Sequence, residues 1–225
     1  MVCQNCHKEN RSKAKFCKWC GQQLVTTDLL DKLVGLDEVK NQLKTIVDTY
    51  TFLRSRKDIS KARISLNAIV IGDTGTGKTA LAEILRDYFY QHKIIEKPQL
   101  MMVDAVDYQR FVDKWDENIK KAKNGILFFD NVQKLLPDKY SNQVNPLDKL
   151  FVEMDKWEDN PIVIISGLSK GLEDFLESNP AVANRFKYTF RMTTPNFQEL
   201  TEICKLNLQL KYGIQDLRPD RKSVV

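Results

Sequence analysis

The sequence predicts an α/β fold: a three-layer sandwich in which a parallel five-stranded sheet lies between helices, preceded by a small segment of different composition. Three observations carry this. Five short apolar runs alternate with amphipathic stretches, and strands with continuous apolar cores belong to parallel sheets covered on both faces. A glycine-rich stretch, Gly72 to Thr79, separates the first of those runs from a helical pattern. Cysteine use is uneven, with Cys3, Cys6, Cys17 and Cys20 at the start and Cys204 standing alone later.

Length and charge bound the answer. A chain of 225 residues accommodates one well-buried domain with something small attached, since single cores rarely exceed about 250 residues. No run approaches the roughly 18 consecutive apolar residues of a membrane helix, and the N-terminus lacks the apolar core of a secretory signal. The expectation is a soluble, cytoplasmic protein with no membrane partner. The net charge of +5 is concentrated in residues 1–27, where Lys8, Arg11, Lys13, Lys15 and Lys18 face Glu9 alone. The rest of the chain is almost neutral, which does not support a broad nucleic-acid surface on the main domain.

Residues 1–24 form the first unit. Cys3-x-x-Cys6 and Cys17-x-x-Cys20 are two knuckles separated by ten residues, and each brings two thiolates to one side of a tight turn, so that four sulfurs can close a tetrahedron around one Zn2+. Disulfides are the other chemistry open to these cysteines, and an intracellular chain with this spacing argues against them. His7 could replace a ligand, but four cysteines already fill the site. Such a site has no open position and is structural rather than catalytic. The segment resembles the short zinc ribbons at the ends of many bacterial proteins, through Cys3-Gln4-Asn5-Cys6, Ala14-Lys15-Phe16-Cys17 and Cys20-Gly21. Zinc would supply most of its folding free energy. Four thiolates with zinc leave the site at −2, cutting the segment's charge to about +2, and this favours a protein client or partner over nucleic acid.

Gln22 to Asp28 read as a short polar connector, and the second unit, residues 28–192, carries one long amphipathic helix from Leu36, with Val39, Leu43, Ile46, Val47, Tyr50 and Leu53 at three- and four-residue steps. A charged loop, Arg54 to Lys61, follows. The first strand, Ala68-Ile69-Val70-Ile71, runs into Gly72-Asp73-Thr74-Gly75-Thr76-Gly77-Lys78-Thr79, which matches G-x-x-x-x-G-K-[ST] at every fixed position. A helix with Leu81, Ile84, Leu85 and Tyr88 on one face comes next. A triphosphate needs converging backbone N–H donors, and a side chain at the glycine positions would hold the backbone away from the oxygens. Lys78 can reach the β- and γ-phosphates, the Thr79 hydroxyl is placed to ligate Mg2+, and the helix N-terminus faces the anion. The fold class is therefore that of P-loop NTPases, with a nucleotide and Mg2+ as ligands.

Gln99 to Asp104 reads as the second strand, Tyr108 to Lys123 as a helix presenting Phe111, Trp115 and Ile119, and Gly125 to Asp130 as a buried third strand. Residues 161–166 and 187–192 supply the fourth and fifth. Asp130, ending a strand beside the first, is the expected partner of the phosphate loop and can hold Mg2+ through water. Residues 193–213 read as one apolar helix that starts at Thr193-Thr194-Pro195, carries Phe197, Leu200, Ile203, Cys204, Leu208 and Leu210, and stops at Gly213. Cys204 on that face reads as core. Residues 214–225 read as a solvated tail.

Residues 30–211 resemble the AAA+ ATPase superfamily, and specifically its bacterial branch that includes the rubisco-activase-like proteins. The resemblance rests on Leu33-Val34-Gly35-Leu36-Asp37-Glu38-Val39-Lys40, the phosphate loop, Gly125 to Asp130, and Phe175 to Pro180 followed by Asn184-Arg185-Phe186. It implies ATP as the nucleotide, Val34 and Gly35 at the adenine, and Arg185 as a finger reaching a neighbouring subunit's nucleotide within a homo- or hetero-oligomeric ring. Such a finger stabilises charge developing on the transferred phosphoryl group. It also implies a polar sensor at the end of the fourth strand, for which Ser166 and Ser169 are both candidates.

Three departures limit the resemblance. The family has a glutamate directly after the strand-end aspartate, where this chain has Asn131; an amide can orient water but cannot take its proton, and the lost carboxylate is commonly worth ~10²–10⁴ in rate. No carboxylate stands close behind, and Gln133 and Asp138 are the nearest candidates to take over its role. The pore-lining aromatic-apolar-glycine of the family is matched by Phe111-Val112-Asp113, without the glycine, and Phe111 reads equally as helix core. The helix from residue 193 resembles the first helix of the family's lid, and the remaining lid helices and their arginine are absent from this sequence. The expectation is an Mg·ATP-dependent switch or assembly subunit with weak hydrolysis. The alternatives are an active ring that remodels a protein client and a nucleic-acid-binding protein that uses the ribbon.

Overall fold

A computed structural model describes residues 8, 9, 17–21, 28–56, 65–136, 146–157 and 160–212. Cys3, Cys6, His7, Asp138, Gly213 and the tail lie outside the described residues. The elements follow as α1 (Asp37–Ser55), β1 (Ala68–Gly72), α2 (Lys78–Gln91), β2 (Leu100–Asp104), α3 (Tyr108–Asp113), α4 (Trp115–Ala122) and β3 (Ile126–Asp130). The chain continues through α5 (Asp148–Met154), β4 (Ile162–Gly167), α6 (Ser169–Ser178), α7 (Pro180–Ala183), β5 (Tyr188–Met192) and α8 (Phe197–Tyr212).

The five strands form one sheet in the order β2-β3-β4-β1-β5, and every pairing is parallel. Successive side chains on a strand point to opposite faces, so a continuous apolar run feeds two cores at once. Val70, Phe128, Ile164 and Phe190 pack on one side with α1 and α2 residues such as Leu43, Leu81 and Leu85. Ile69, Ile71, Phe129 and Ile165 pack on the other with Phe111, Trp115, Leu150 and Leu172. Asn67 ties the start of β1 to both neighbours: its side-chain oxygen accepts from the Val163 N–H at 2.8 Å and its carbonyl accepts from Lys187 N–H at 3.0 Å.

Two expectations are corrected here. The helix expected over 108–123 is two helices that break at Lys114, whose backbone sits at φ −117°, ψ 37°. At the break the Phe111 carbonyl accepts from Lys114 N–H at 3.3 Å and from the Asn118 side chain at 3.0 Å, so the acceptor that loses its regular helical partner is still satisfied. Phe111 and Trp115 both stay buried, with ring centroids 5.4 Å apart edge to face. Phe111 also meets Phe129 at 5.3 Å; it is a core residue, and the pore-lining reading of this side chain does not survive.

The last helix starts later than its proline suggested. Asn196 caps it: the Asn196 side-chain oxygen accepts from Gln198 and Glu199 N–H at 2.9 and 3.0 Å, and Glu199 reaches back to accept from Asn196 N–H at 2.7 Å. This reciprocal pair is a capping box, and it leaves Pro195 outside the helix. Cys204 is exposed rather than core. None of the α8 side chains described is fully buried, and Phe197, Leu200 and Leu210 are exposed, because α8 packs on the rest of the chain along one flank only.

Candidate nucleotide site

The site forms at the C-terminal ends of the central strands, where β1 runs into the glycine-rich loop and α2. Gly75 and Gly77 hold φ of +83° and +89°, a region that costs other residues strain. At Gly72 the requirement is space: a Cβ would stand 2.7 Å from the Met192 Cβ and 2.8 Å from Thr76 Oγ1. Thr76 Oγ1 donates to the Asp73 carbonyl at 2.9 Å, closing the loop on itself. Asp73, Thr74, Gly75, Gly77 and Thr79 are exposed at the loop's outer surface, while Thr76 and Lys78 are buried. The Lys78 ammonium donates to the Gly72 and Asp73 carbonyls, each at 2.9 Å. It is thus held inside the cradle where a phosphate would replace those acceptors.

Asp130 is the hub beside the loop. Its Oδ2 accepts from the Thr79 hydroxyl at 3.3 Å, and its Oδ1 accepts from Asn131 N–H at 2.9 Å and from the Ser166 hydroxyl. A hydroxyl and a carboxylate this close are oxygen donors suited to Mg2+, a hard cation that keeps several waters. The β3–β4 register pairs Phe129 with Ile165, which puts Ser166 next to Asp130. Of the two candidate serines it is therefore Ser166, fully buried, that reaches the hub; Ser169 opens α6 beyond it.

Asn131 departs from the strand with φ +58°, a left-handed conformation that asparagine tolerates better than most residues. Its side-chain amide donates to Asp104 Oδ2 at 2.6 Å. Asp104 is the residue that reading the chain in order overlooked. It ends β2, and the parallel register sets it directly beside Asp130. The Val106 N–H at 3.0 Å holds the Asp104 carboxyl below its ordinary range; partial burial opposes this, and the Asn131 amide and the Lys134 charge assist it. The signal was available in two strands that both end in aspartate. Gln133 is engaged elsewhere, accepting from Leu168 N–H at 3.2 Å.

A cleft of about 390 Å³ adjoins the loop, with Val34, Gly35, Gly77, Met192, Glu199 and Ile203 among its lining. This volume is of the size ligand pockets take. Gly35 has φ +72°, and a Cβ there would overlap the Glu199 carboxylate, so glycine lets the first turn of α8 close over the Val34–Gly35 segment. Arg185 is engaged within this chain: Nε and a terminal nitrogen hold both Asp155 oxygens at 3.0 and 2.7 Å, and the other terminal nitrogen donates to the Ala181 carbonyl at 2.6 Å.

The family described as "ATPase family associated with various cellular activities (AAA)" matches residues 68–194, from the first strand to just past the fifth. The chain belongs to this family. Membership of this family implies use of ATP and Mg2+. Among curated relatives, the ESX-1 secretion system protein EccA1 of Mycobacterium tuberculosis is 28% identical over 189 residues, covering 79% of this chain and 33% of the relative. Stage V sporulation protein K of Bacillus subtilis is 26% identical over 185 residues, 78% of this chain and 57% of the relative. The CfxQ homolog of Trieres chinensis is 28% identical over 190 residues, 80% and 65% respectively. The chain thus spans between a third and two thirds of the length of these relatives. The Thermotoga maritima RuvB Holliday junction branch migration motor superposes with a TM-score of 0.54 at 20% identity, covering 80% of this chain and 53% of that one, a likeness of fold.

Cys17 and Cys20 lie on a turn in which the Trp19 N–H points at Cys17 Sγ, 3.4 Å away, and Gly21 N–H donates to the Cys17 carbonyl at 2.9 Å. The Trp19 ring lies between the Lys8 and Lys18 ammoniums, 4.7 and 4.6 Å from its centroid. Among the described residues no cluster of three or more His, Cys, Asp and Glu is placed to hold a metal. Likewise among them, no helix is long and apolar enough to cross a membrane.

Proposed function

We propose that this chain is an Mg·ATP-dependent switch or assembly subunit of the AAA family that binds nucleotide firmly and cleaves it slowly. The observation that carries the reading is Asn131 at the end of β3, with its amide donating to Asp104. The position where the resembled branch keeps a proton-accepting glutamate holds a group that can orient water but not deprotonate it. The loop, Lys78, Thr79, Asp130 and Ser166 bind the phosphates and Mg2+, and Val34 and Gly35 meet the adenine. Membership in the rubisco-activase-like branch is the finer placement, supported by Phe175 to Pro180 and Asn184-Arg185-Phe186.

Residues 1–24 are read as a structural zinc ribbon that recruits a protein partner, supported by the spacing of Cys3, Cys6, Cys17 and Cys20. The N–H directed at Cys17 Sγ adds to this, since such donors stabilise a metal-bound thiolate. The remodelling alternative keeps Arg185 for a ring but loses the aromatic grip, because Phe111 is buried in the core. Nucleic-acid binding by the ribbon ranks last on its small charge.

The test measures ATP binding and single-turnover cleavage on the same preparations of the native chain and Lys78→Ala. The expected result is saturable Mg-dependent binding that Lys78→Ala weakens at least tenfold, with cleavage ~10²–10⁴ below that of glutamate-bearing relatives. Rapid steady-state turnover by the native chain, lost in Lys78→Ala, would overturn the slow-hydrolysis reading.

A further inference from the structure

The Asp104–Asn131 contact joins a carboxylate on β2 to an amide on the neighbouring strand end, and its hydrogen bonding is asymmetric. An ionised carboxylate only accepts, whereas an amide offers an NH₂ on one side and a carbonyl oxygen on the other. Asp104 uses Oδ1 to accept from Val106 N–H and Oδ2 to accept from Asn131 Nδ2, so both of its oxygens are fixed. Asn131 Nδ2 is thereby committed to Asp104, and Asn131 Oδ1 has no hydrogen-bond donor among the described residues. The same residue's backbone N–H is anchored on Asp130 Oδ1, the carboxylate that also holds Thr79 and Ser166. Both anchors fix the amide at the end of β3, one residue past the carboxylate that meets Thr79 of the phosphate loop, with its acceptor end uncommitted among the described residues.

We propose that Asp104 is a positioning residue for ATP cleavage: by accepting from Asn131 Nδ2 it presents Asn131 Oδ1, rather than the NH₂, to the attacking water. This rests on the nucleotide-binding reading above and deepens it. In the step, the water oxygen bonds to Pγ and the bond from Pγ to the β–γ bridging oxygen breaks, its electron pair leaving with ADP. The water's proton passes to a γ-phosphoryl oxygen, giving inorganic phosphate. Asn131 accepts a hydrogen bond from the water and never takes the proton, which is why the reaction is slow. Without Asp104 the amide could turn over, offering a donor where the water needs an acceptor. The low proton affinity of the Asp104 carboxyl keeps it an acceptor throughout the neutral range.

The pair also makes a prediction about replacement. A glutamate at position 131 would set a second carboxylate against Asp104 where an amide now donates, and like charges at that separation repel. Asn131→Glu alone therefore does not produce a competent site, whereas Asp104→Asn together with Asn131→Glu restores a carboxylate facing an amide, with the two groups exchanged between strands.

The experiment is a double-mutant cycle on the full chain: Asp104→Asn, Asn131→Glu and the combination, each measured for ATP affinity and single-turnover cleavage. Asparagine caps the turn after β2 about as well as aspartate, so Asp104→Asn keeps that structural role. The expected results are unchanged ATP affinity and cleavage slowed about tenfold or more in Asp104→Asn, no gain in Asn131→Glu, and cleavage above the native rate in the combination. An unchanged rate in Asp104→Asn, or a gain in Asn131→Glu alone that the second substitution does not increase, would overturn the proposal. So would native cleavage no greater than that of Lys78→Ala with ATP binding intact. Loss of ATP binding by the native chain would instead remove the nucleotide reading itself.

Discussion

Arg185 shows how much a single side chain depends on its company. Two of its nitrogens hold Asp155 and a third holds the Ala181 carbonyl, so its guanidinium is satisfied within its own chain. The side chains are 26% and 58% exposed, and pairs at that level contribute only about 1 kcal/mol or less. If the proposed ring forms, a neighbouring subunit's phosphate would compete for this arginine. Asp155→Ala is expected to free Arg185 and increase ATP-dependent self-association severalfold in sedimentation; the increase is lost when Arg185→Ala is added. No change in Asp155→Ala would show that the pair does not restrain Arg185. The sequence singled out Arg185, Asp130 and Asn131 as candidates because each sits in a short local pattern. It did not reveal Asp155 or Asp104, which lie 30 and 27 residues from their partners and meet them only through folding.

At the level of elements, short apolar runs located every strand, most plainly β1, β3 and β4, which are buried along almost their whole length. The helices were less legible. Residues 108–123 carry one apolar face, but the chain breaks at Lys114 so that Phe111 and Trp115 can both reach the Phe129 side of the sheet. Periodicity cannot register such a break, since both halves keep the same period. Phe111→Ala is expected to cost about 3–5 kcal/mol in denaturant unfolding; a loss under about 1 kcal/mol would show that the ring is not part of the core. The start of α8 was misjudged for a related reason. Thr193-Thr194-Pro195 and Asn196-x-x-Glu199 are both helix-start signals, and the reciprocal bonds of the second decide between them.

Across the whole molecule, one sheet with two packed faces supports a loop, a cleft and a helix that closes beside it, and the ribbon proposed for residues 1–24 would draw its stability from zinc instead. If zinc holds that segment, a strong chelator is expected to remove one Zn2+ per chain without changing ATP affinity or the unfolding midpoint of the core. A preparation that contains no zinc before chelation would refute the ribbon reading, and loss of ATP binding on chelation would refute the separation of the two units. The sequence by itself determined the glycine-rich loop pattern, the parallel α/β class and the amide at position 131, because backbone sterics, strand burial and side-chain identity act over a few neighbouring residues. Only the tertiary structure decided which serine meets Asp130, that Phe111 is core, and that the Asn131 amide faces a carboxylate. Each of these depends on the parallel register that brings β2, β3 and β4 side by side, a long-range pairing that no local pattern encodes.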